Sequence, residues 1–287
     1  MKTYPHLFTK LFCQPLLLRD LERRTFEQSL LHHMGMIQQH QTVAVVSPQA
    51  PAALDRSQMG WRQQRVFEQF GDVAVVHIDG VIDKRVSGFD LECYGGVDLA
   101  DVDAALSAVQ SDAGITRVVL DIHSPGGSVV GVHETYTRLS KLAESKEVHA
   151  YVNALACSAG YYLASAADII AAAPSAIVGS IGVYIAMLDA SRWAEIEGLA
   201  MQTIKAGKWK DMGSPWRPLT KEEKQRLQDD VNSIHAQFKT AVTANRDIED
   251  DAMEGQWMTA EQGADLGLVD DLTGDTLDEY VTGLLLA

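Results

Sequence analysis

Ser158 stands where a stretch of small residues gives way to a helical pattern, and its hydroxyl is the first candidate for chemistry in this chain. A serine at a helix N-terminus lies beside unpaired backbone N–H groups and the positive end of the helix dipole, which suits a nucleophile. Its small neighbours Ala156, Ala159 and Gly160 would let a second chain approach closely. The same position suits an ordinary N-cap, which is the commoner role of a serine before a helix. The stretch alone leaves both interpretations open.

A Ser-Pro-Gly-Gly-Ser stretch, Ser124–Ser128, is the second candidate. Gly126 and Gly127 can form a turn whose exposed N–H groups hold an anion. A phosphate loop is a weak interpretation, because the lysine and the serine or threonine of that motif are absent. The alternatives are an oxyanion hole, whose N–H donors point at a developing negative oxygen, and a plain turn.

A serine nucleophile needs a base. No histidine follows Ser158 before His235, and the Ala-x-Ser-x-Gly pattern differs from the Gly-x-Ser-x-Gly elbow of α/β-hydrolases. A lysine that loses its proton in desolvated surroundings is the alternative base. The candidates in the segment 203–211 are Lys205, Lys208 and Lys210. Composition alone favours a solvated loop for these lysines.

The elements that must position these residues alternate between strands and helices. Apolar runs predict strands at 73–82, 117–122, 148–153, 169–173, 183–188 and 201–205. Helices are predicted at 98–110, 129–144 and 190–197, from Ser158 onward and from Thr220 onward. This alternation indicates an α/β fold with a mostly parallel sheet. Because ligands bind beyond the carboxyl ends of such strands, we expect the loops at Ser124 and Ser158 to be neighbours.

The composition limits the classes of partner. The 287 residues carry a formal net charge of −15, which argues against binding to nucleic acid or to an anionic membrane surface. The three cysteines are widely spaced, as expected for reduced thiols in a cytoplasmic protein. No apolar run approaches the roughly 20 residues of a membrane span, and we recognise no signal peptide. We therefore expect a cytoplasmic protein without a nucleic-acid partner or a membrane span.

The remaining reactive side chains give weaker signals. His32, His33 and His40 lie close together in sequence, but no acidic or cysteine partner stands at ligand spacing. We therefore expect no metal site and no cofactor. Cys157 invites a thiol nucleophile, although a small buried cysteine is the commoner case.

Four ordered motifs, with a fifth phrase near the C-terminus, resemble the signal peptide peptidase family of serine peptidases, peptidase family S49. They are Ser124–Ser128, Ser158–Tyr162, Gly179–Val183 and Ile204–Pro215, followed by Trp257–Asp271. The resemblance covers roughly residues 72–272. It implies a Clp-protease/crotonase-like fold, with repeated β-β-α units and a mostly parallel sheet.

The resemblance also implies a role for each matching residue. Ser158 matches the nucleophile, Lys210 the general base of a Ser–Lys dyad, and Ser180 a serine that hydrogen-bonds the catalytic lysine. Gly126 and Gly127 match the oxyanion turn. The family binds peptide as an added strand, which implies backbone contacts at Ser128, Val129, Ile181, Gly182 and Val183.

The beginning of the chain is similar to phage prohead proteases, which cleave scaffold and capsid proteins inside the assembling shell. The residues that carry this similarity are Tyr4–Leu7, Leu11–Phe12 and Pro15–Leu18. It implies a serine endopeptidase of capsid maturation, acting on scaffold and capsid proteins in the host cytoplasm or inside the procapsid. The chain has one copy of the catalytic unit, so we expect a homo-oligomer. We expect a helical arm and linker at 1–70, the peptidase domain at 71–272 and a C-terminal tail or helix at 273–287.

Four alternatives are weighed against this hypothesis. A cellular signal-peptide-peptidase-like protease would degrade peptides in the bacterial cytoplasm. A Clp-type Ser-His-Asp protease needs a histidine that the sequence lacks at the right place. An acyl-CoA crotonase fits the Ser-Pro-Gly-Gly and Lys-Asp phrases poorly. A capsid or chamber component without catalysis would carry a vestigial site.

Overall fold

A mostly parallel sheet of long buried strands forms the centre of the fold, in a computed structural model that describes residues 16–18, 61–88, 90–91 and 95–287. The strands are β1 (Leu16–Leu18), β2 (Phe67–Phe70), β3 (Val73–Asp79), β4 (Ile82–Asp83), β5 (Val97–Asp98), β6 (Arg117–Ser124), β7 (Gly126–Ser128), β8 (Glu147–Cys157), β9 (Ile169–Ala172), β10 (Ile177–Gly179), β11 (Trp257–Thr259) and β12 (Asp271–Leu272). The helices are α1 (Trp61–Val66), α2 (Leu99–Ser111), α3 (Val132–Ala143), α4 (Ala159–Ala164), α5 (Ser191–Ile196), α6 (Lys221–Thr243), α7 (Ala260–Asp265) and α8 (Leu277–Leu286).

The larger sheet has the order β11-β10-β8-β6-β3-β2, with β9 beside β8 and β12 beside β9. Strands β3, β6, β8 and β10 are parallel, and β2 and β11 run antiparallel at the two ends of this path. The central strands are almost continuously apolar because both faces of the sheet are covered. The predicted α/β fold with a mostly parallel sheet is confirmed.

A second, smaller sheet has the order β1-β7-β4-β5. Its strands β4 and β7 follow the long strands β3 and β6, and the helices α2 and α3 come after them in the chain. A long strand, a short strand in the second sheet and a helix therefore form a unit that occurs twice, as the expected β-β-α repeat requires.

Three element predictions were wrong. Residues 183–188 and 201–205 form no strand; β10 lies earlier, and Ile204 is 99% exposed. An apolar run becomes a strand only where a neighbouring strand accepts its hydrogen bonds, and β10 already has β8 on one side and β11 on the other. Helix α3 begins at Val132 rather than 129, because the chain first forms β7 and then turns at Gly131, whose φ is 90°.

The N-terminal boundary also differs from the prediction. The strand β2 pairs antiparallel with β3, so the larger sheet begins before residue 71. Arg62 of α1 donates to Asp98 at 2.7 Å and to Asp101 at 2.9 Å, which attaches this helix to α2. Within the region expected to be a helical arm, Leu16–Leu18 forms a strand, and the rest of 1–60, with His32, His33 and His40, lies outside the described residues.

Within the C-terminal segment, Leu277–Leu286 forms the helix α8. Val281 of α8 is buried against one face of the larger sheet, in a cluster with Val73, Val75, Val119 and Tyr151. None of the described helices is long and apolar enough to cross a membrane.

Candidate active site

Ser158 sits in a strained turn between β8 and α4. Its φ of 53° and ψ of −117° lie in a region that costs a residue with a side chain roughly 1–3 kcal/mol. Among the described residues only Arg85 and Ser180 are other non-glycine residues with positive φ. The Ser158 N–H donates to the Gly179 carbonyl at 2.8 Å, and its own carbonyl accepts the N–H of Tyr162 at 2.8 Å. These bonds hold the turn in its strained shape.

The Ser158 side chain does not cap the helix. It makes no capping hydrogen bond, it is 1% exposed, and its Oγ has no hydrogen-bond partner within the described part of the chain. A buried hydroxyl without a partner costs roughly 1–3 kcal/mol. The N-cap interpretation is therefore wrong, and a purely structural role explains neither the strain nor the unpaired hydroxyl.

The two predicted loops are neighbours. The register of β6 and β8 places Ser124 opposite Ala156, and a Cβ added to Gly160 would lie 3.1 Å from the Cβ of Ser124. Only a residue without a side chain fits at 160 without moving this contact. The Gly-Gly turn therefore packs directly against the turn that carries Ser158.

The two glycines of this turn have different roles. The Gly126 N–H donates to Ser124 Oγ at 3.2 Å, and that hydroxyl donates to the Gly80 carbonyl at 2.6 Å. The oxyanion role predicted for Gly126 conflicts with this hydrogen bond, whereas that of Gly127 stays a prediction. A Cβ at Gly127 would lie 1.9 Å from the carbonyl oxygen of Ile82, so only glycine lets the two backbones approach this closely.

Ser180 follows β10 at the same end of the sheet as Ser158. The register of β8 and β10 places Gly179 opposite Cys157, which brings the two serines to adjacent strand ends. Ser180 is buried with a φ of 54°, and its N–H donates to the Gln256 carbonyl at 2.7 Å. Both predicted site serines thus occupy strained positions side by side.

The predicted peptide-binding residues flank the two serines. Ser128 ends β7, and Val129 packs, partly buried, against the core beside it. On the other side, Ile181 is fully buried, and a Cβ at Gly182 would lie 3.0 Å from the Cα of Gly255. Next to them is a cavity of about 580 Å³, lined by Ser180, Gly182, Val183, Tyr184, Gln228, Val231, Asn232, His235, Glu254 and Gly255.

Lys210 is not hydrogen-bonded to Ser158 or Ser180 in the described structure, and its side chain is exposed. Its two neighbours in sequence are paired: Lys205 with Asp211, and Lys208 with Glu222 at 2.6 Å. Lys210 is the one of these three lysines without an ion pair among the described residues. Its predicted role as the general base stays a prediction.

A clamp that sequence reasoning missed holds the lysine segment to α6. Arg217 donates to Asp211 Oδ2 at 3.0 Å and to both carboxylate oxygens of Glu223 at 2.8 and 2.6 Å. The guanidinium lowers the pKa of Glu223 to about 2 and holds the pKa of Asp211 far below its usual range. Glu223 also completes a capping box with Thr220. The Thr-x-x-Glu spacing was the available signal, since it fixes Glu223 at the start of α6.

The five described histidines have partners other than Ser158. They pair as His77 with Asp121, His123 with Asp79, His133 with the Tyr162 hydroxyl, His149 with the Tyr280 hydroxyl and His235 with the Ile181 carbonyl. A Ser-His dyad at Ser158 is therefore not formed among the described residues. The Cys157 thiol is buried in the ladder between β8 and β10, which does not favour a thiol nucleophile.

The comparisons with known proteins bear on the family of the chain. A model of peptidase family S49 matches residues 140–282. A Synechocystis sp. protein named "Putative protease" is 32% identical over 188 residues, which are 63% of this chain and 68% of the relative. The chain belongs to peptidase family S49.

Two further relatives differ in coverage. "Capsid assembly protease C" of Escherichia phage lambda is 27% identical over 285 residues, which are 96% of this chain and 64% of the relative. "Serine protease SPPA, chloroplastic" of Arabidopsis thaliana is 29% identical over 208 residues, 70% of this chain and 30% of the relative. The chain spans between 55% and 64% of three curated relatives that it matches. Among solved structures, an enoyl-CoA hydratase/isomerase family member is 16% identical, with a TM-score of 0.39. The match covers 77% of this chain and 73% of the chain in that structure.

Proposed function

We propose that this chain is a serine endopeptidase with Ser158 as its nucleophile. The observation that carries the proposal is the combination at Ser158 of a strained backbone and a buried hydroxyl without a described hydrogen-bond partner. Strain and unpaired polar groups persist where a reaction uses them. Membership of peptidase family S49 supports hydrolysis of peptide bonds rather than another acyl transfer.

In the proposed mechanism, neutral Lys210 takes the proton from Ser158 Oγ as the oxygen attacks a peptide carbonyl carbon. The carbonyl oxygen becomes an oxyanion and accepts hydrogen bonds from the N–H of Gly127 and from that of Ala159 at the start of α4. The Lys210 ammonium then gives its proton to the leaving amine. A water molecule, deprotonated by Lys210, attacks the acyl-enzyme, and the proton returns to Ser158.

The dyad needs Lys210 to approach Ser158, and we propose that a second copy of the chain supplies it. The segment around Lys210 exposes large apolar side chains that water would otherwise surround: Trp193, Ile196, Leu199, Met201, Ile204 and Trp216. Exposed apolar groups in one region are typical of a protein interface. An assembly of two copies through this segment would bury these side chains and bring Lys210 of one copy to Ser158 of the other.

We propose that the substrate is an extended protein segment, added as a strand between Gly126–Ser128 and Ile181–Val183. Scaffold and capsid proteins are the proposed substrates. The likeness to phage lambda capsid assembly protease C supports this choice, since it extends over 96% of the chain and includes the N-terminal region.

A fluorophosphonate probe tests the proposal most directly, because it reacts only with an activated serine. We expect the probe to label the wild-type chain at Ser158 and to leave the Ser158→Ala variant unlabelled, with Ser165→Ala as a labelled control. Absence of labelling at Ser158 from the wild type and from every variant that keeps Ser158 would favour a capsid or chamber component without catalysis. Incubation with candidate scaffold and capsid proteins, followed by mapping of the cut sites, then defines the substrate.

A further inference from the structure

A strand from the N-terminal region lies on the edge of the Gly-Gly strand. The strand β1 pairs antiparallel with β7, and β4 takes the opposite side of β7. The paired positions are Leu16 with Ser128, Leu17 with Gly127 and Leu18 with Gly126. The edge of β7 that β4 leaves open is therefore occupied by three residues of the same chain.

This edge is the one that a substrate needs. Gly160, in the turn after Ser158, lies against Ser124, just before β7. A substrate carbonyl held between the Gly127 N–H and Ser158 Oγ belongs to a peptide that runs along β7. An extended peptide gains its main-chain hydrogen bonds by pairing with an open strand edge. Leu16–Leu18 thus lies where the substrate strand has to lie.

The state of the nucleophile agrees with an occupied site. Ser158 Oγ is closed to solvent although its proposed reaction needs a substrate carbonyl in contact with it. A peptide cannot add to β7 while β1 holds that edge, since each strand edge pairs with one partner. The described conformation is therefore a closed one.

We propose that Leu16–Leu18 is an internal occupant of the substrate-strand site, and that it blocks the enzyme until a protein substrate or an assembly partner displaces it. The inference rests on the proposed peptidase function. The observed contact is backbone pairing, so removal of the segment's N–H groups should relieve the block. Because the segment is attached to the enzyme, it competes with every external peptide at a fixed, high effective concentration.

Two paired variants of the full chain test the block. The variant Leu16→Pro/Leu17→Pro lacks the backbone N–H groups of both residues. Hydrogen-bonded residues alternate along an antiparallel strand, so one of these two N–H groups pairs with β7, and the variant loses that hydrogen bond in either case. Leu16→Ala/Leu17→Ala keeps both N–H groups. We expect the proline variant to increase fluorophosphonate labelling of Ser158 and casein cleavage about fivefold, the worth of one backbone hydrogen bond, and the alanine variant to match the wild type.

Hydrogen exchange tests the pairing without any catalysis. In a chain that also carries Ser158→Ala, we expect the amides of Gly126–Ser128 to be protected from exchange. They should exchange faster in the Leu16→Pro/Leu17→Pro variant and stay protected in the Leu16→Ala/Leu17→Ala variant. The inference would be overturned if the proline variant left the exchange of Gly126–Ser128 unchanged. It would also be overturned if that exchange became faster while fluorophosphonate labelling of Ser158 did not increase. If no variant, the wild type included, is labelled at Ser158, the peptidase function itself fails, and the exchange result separates that failure from a missing strand.

Discussion

At the scale of the single residue, Ser158 and Ser180 are positioned by backbone hydrogen bonds rather than by their own side chains. Each N–H donates to a carbonyl of an adjacent segment, to Gly179 and Gln256 respectively, and each residue has a positive φ. The neighbouring strands hold both residues in shapes that they would not adopt alone. A change of either side chain should therefore affect chemistry more than folding.

Ser158→Ala should abolish cleavage of casein and leave the free energy of unfolding unchanged or raise it by up to about 1 kcal/mol, because an unpaired buried hydroxyl is removed. Ser165→Ala is the matched control: Ser165 is equally buried, but its hydroxyl donates to the Tyr162 carbonyl at 2.8 Å. It should lower stability by about 1 kcal/mol and keep activity. Urea unfolding and cleavage assays measure both. A Ser158→Ala chain that still cleaves would contradict the nucleophile.

Gly127→Ala should abolish activity and lower the free energy of unfolding by about 3 kcal/mol or more, because the new Cβ would lie 1.9 Å from the Ile82 carbonyl oxygen. Gly274→Ala is the control, since nothing lies within 4 Å of its Cβ position. It should be neutral or slightly stabilising. Equal stabilities for the two variants in urea unfolding would show that the close approach of the two backbones is absent.

At the scale of the element, the Arg217 clamp connects the lysine segment to the start of α6. The capping box at Thr220 begins the helix and places Glu223 where it can accept both donors of Arg217. The same guanidinium also donates a hydrogen bond to Asp211, the residue after Lys210. The position of Lys210 is therefore set by a helix cap ten residues further on.

Arg217→Ala should lower the free energy of unfolding near neutral pH, because Glu223 and Asp211 lose the cation that donates to both of them. It should also lower activity, because the Lys210 segment loses its anchor. Lys208→Ala is the control: its bridge to Glu222 is exposed on both sides, so stability and cleavage should change little. Activity unaffected by Arg217→Ala would contradict the positioning role of the clamp.

The same clamp predicts how stability depends on pH. The pKa of Glu223 is lowered to about 2 from 4.5, so its contribution is fully present above pH 4.5 and is lost as the pH falls toward 2. Urea unfolding of the wild type should therefore show falling stability over this range. The Arg217→Ala variant should show a shallower fall, because the guanidinium that lowers this pKa is gone. Parallel curves for the two chains would show that the pair does not exist in solution.

At the scale of the whole molecule, the proposed dyad takes buried Ser158 from one copy of the chain and exposed Lys210 from another. Ser158→Ala and Lys210→Ala should each be inactive alone, because one lacks the nucleophile and the other the base. Mixed and allowed to exchange subunits, they should regain part of the wild-type cleavage of casein, since intact Ser158 of one copy meets intact Lys210 of the other. A mixture that stays inactive, while each variant still forms oligomers by light scattering, would mean that the dyad closes within one chain.

The sequence determined the features that depend on neighbours along the chain. Alternating apolar runs specify an α/β fold, Asp98 and Thr220 cap the helices that begin beside them, and the small residues around Ser158 mark the strand-to-helix turn. Each of these follows from hydrogen bonds or side-chain sterics within a few residues. The ordered motifs identified the family without any structure.

Only the tertiary structure decided which segments meet. The apolar run at 183–188 forms no strand, and the strand beside β8 at this end of the sheet is β10. Leu16–Leu18 pairs with Gly126–Ser128, more than a hundred residues away. Likewise, the unpaired state of the Ser158 hydroxyl depends on what packs around it. A strand, a buried hydroxyl and a catalytic dyad each depend on residues that are distant in sequence. The local sequence pattern does not specify which distant segment packs against them.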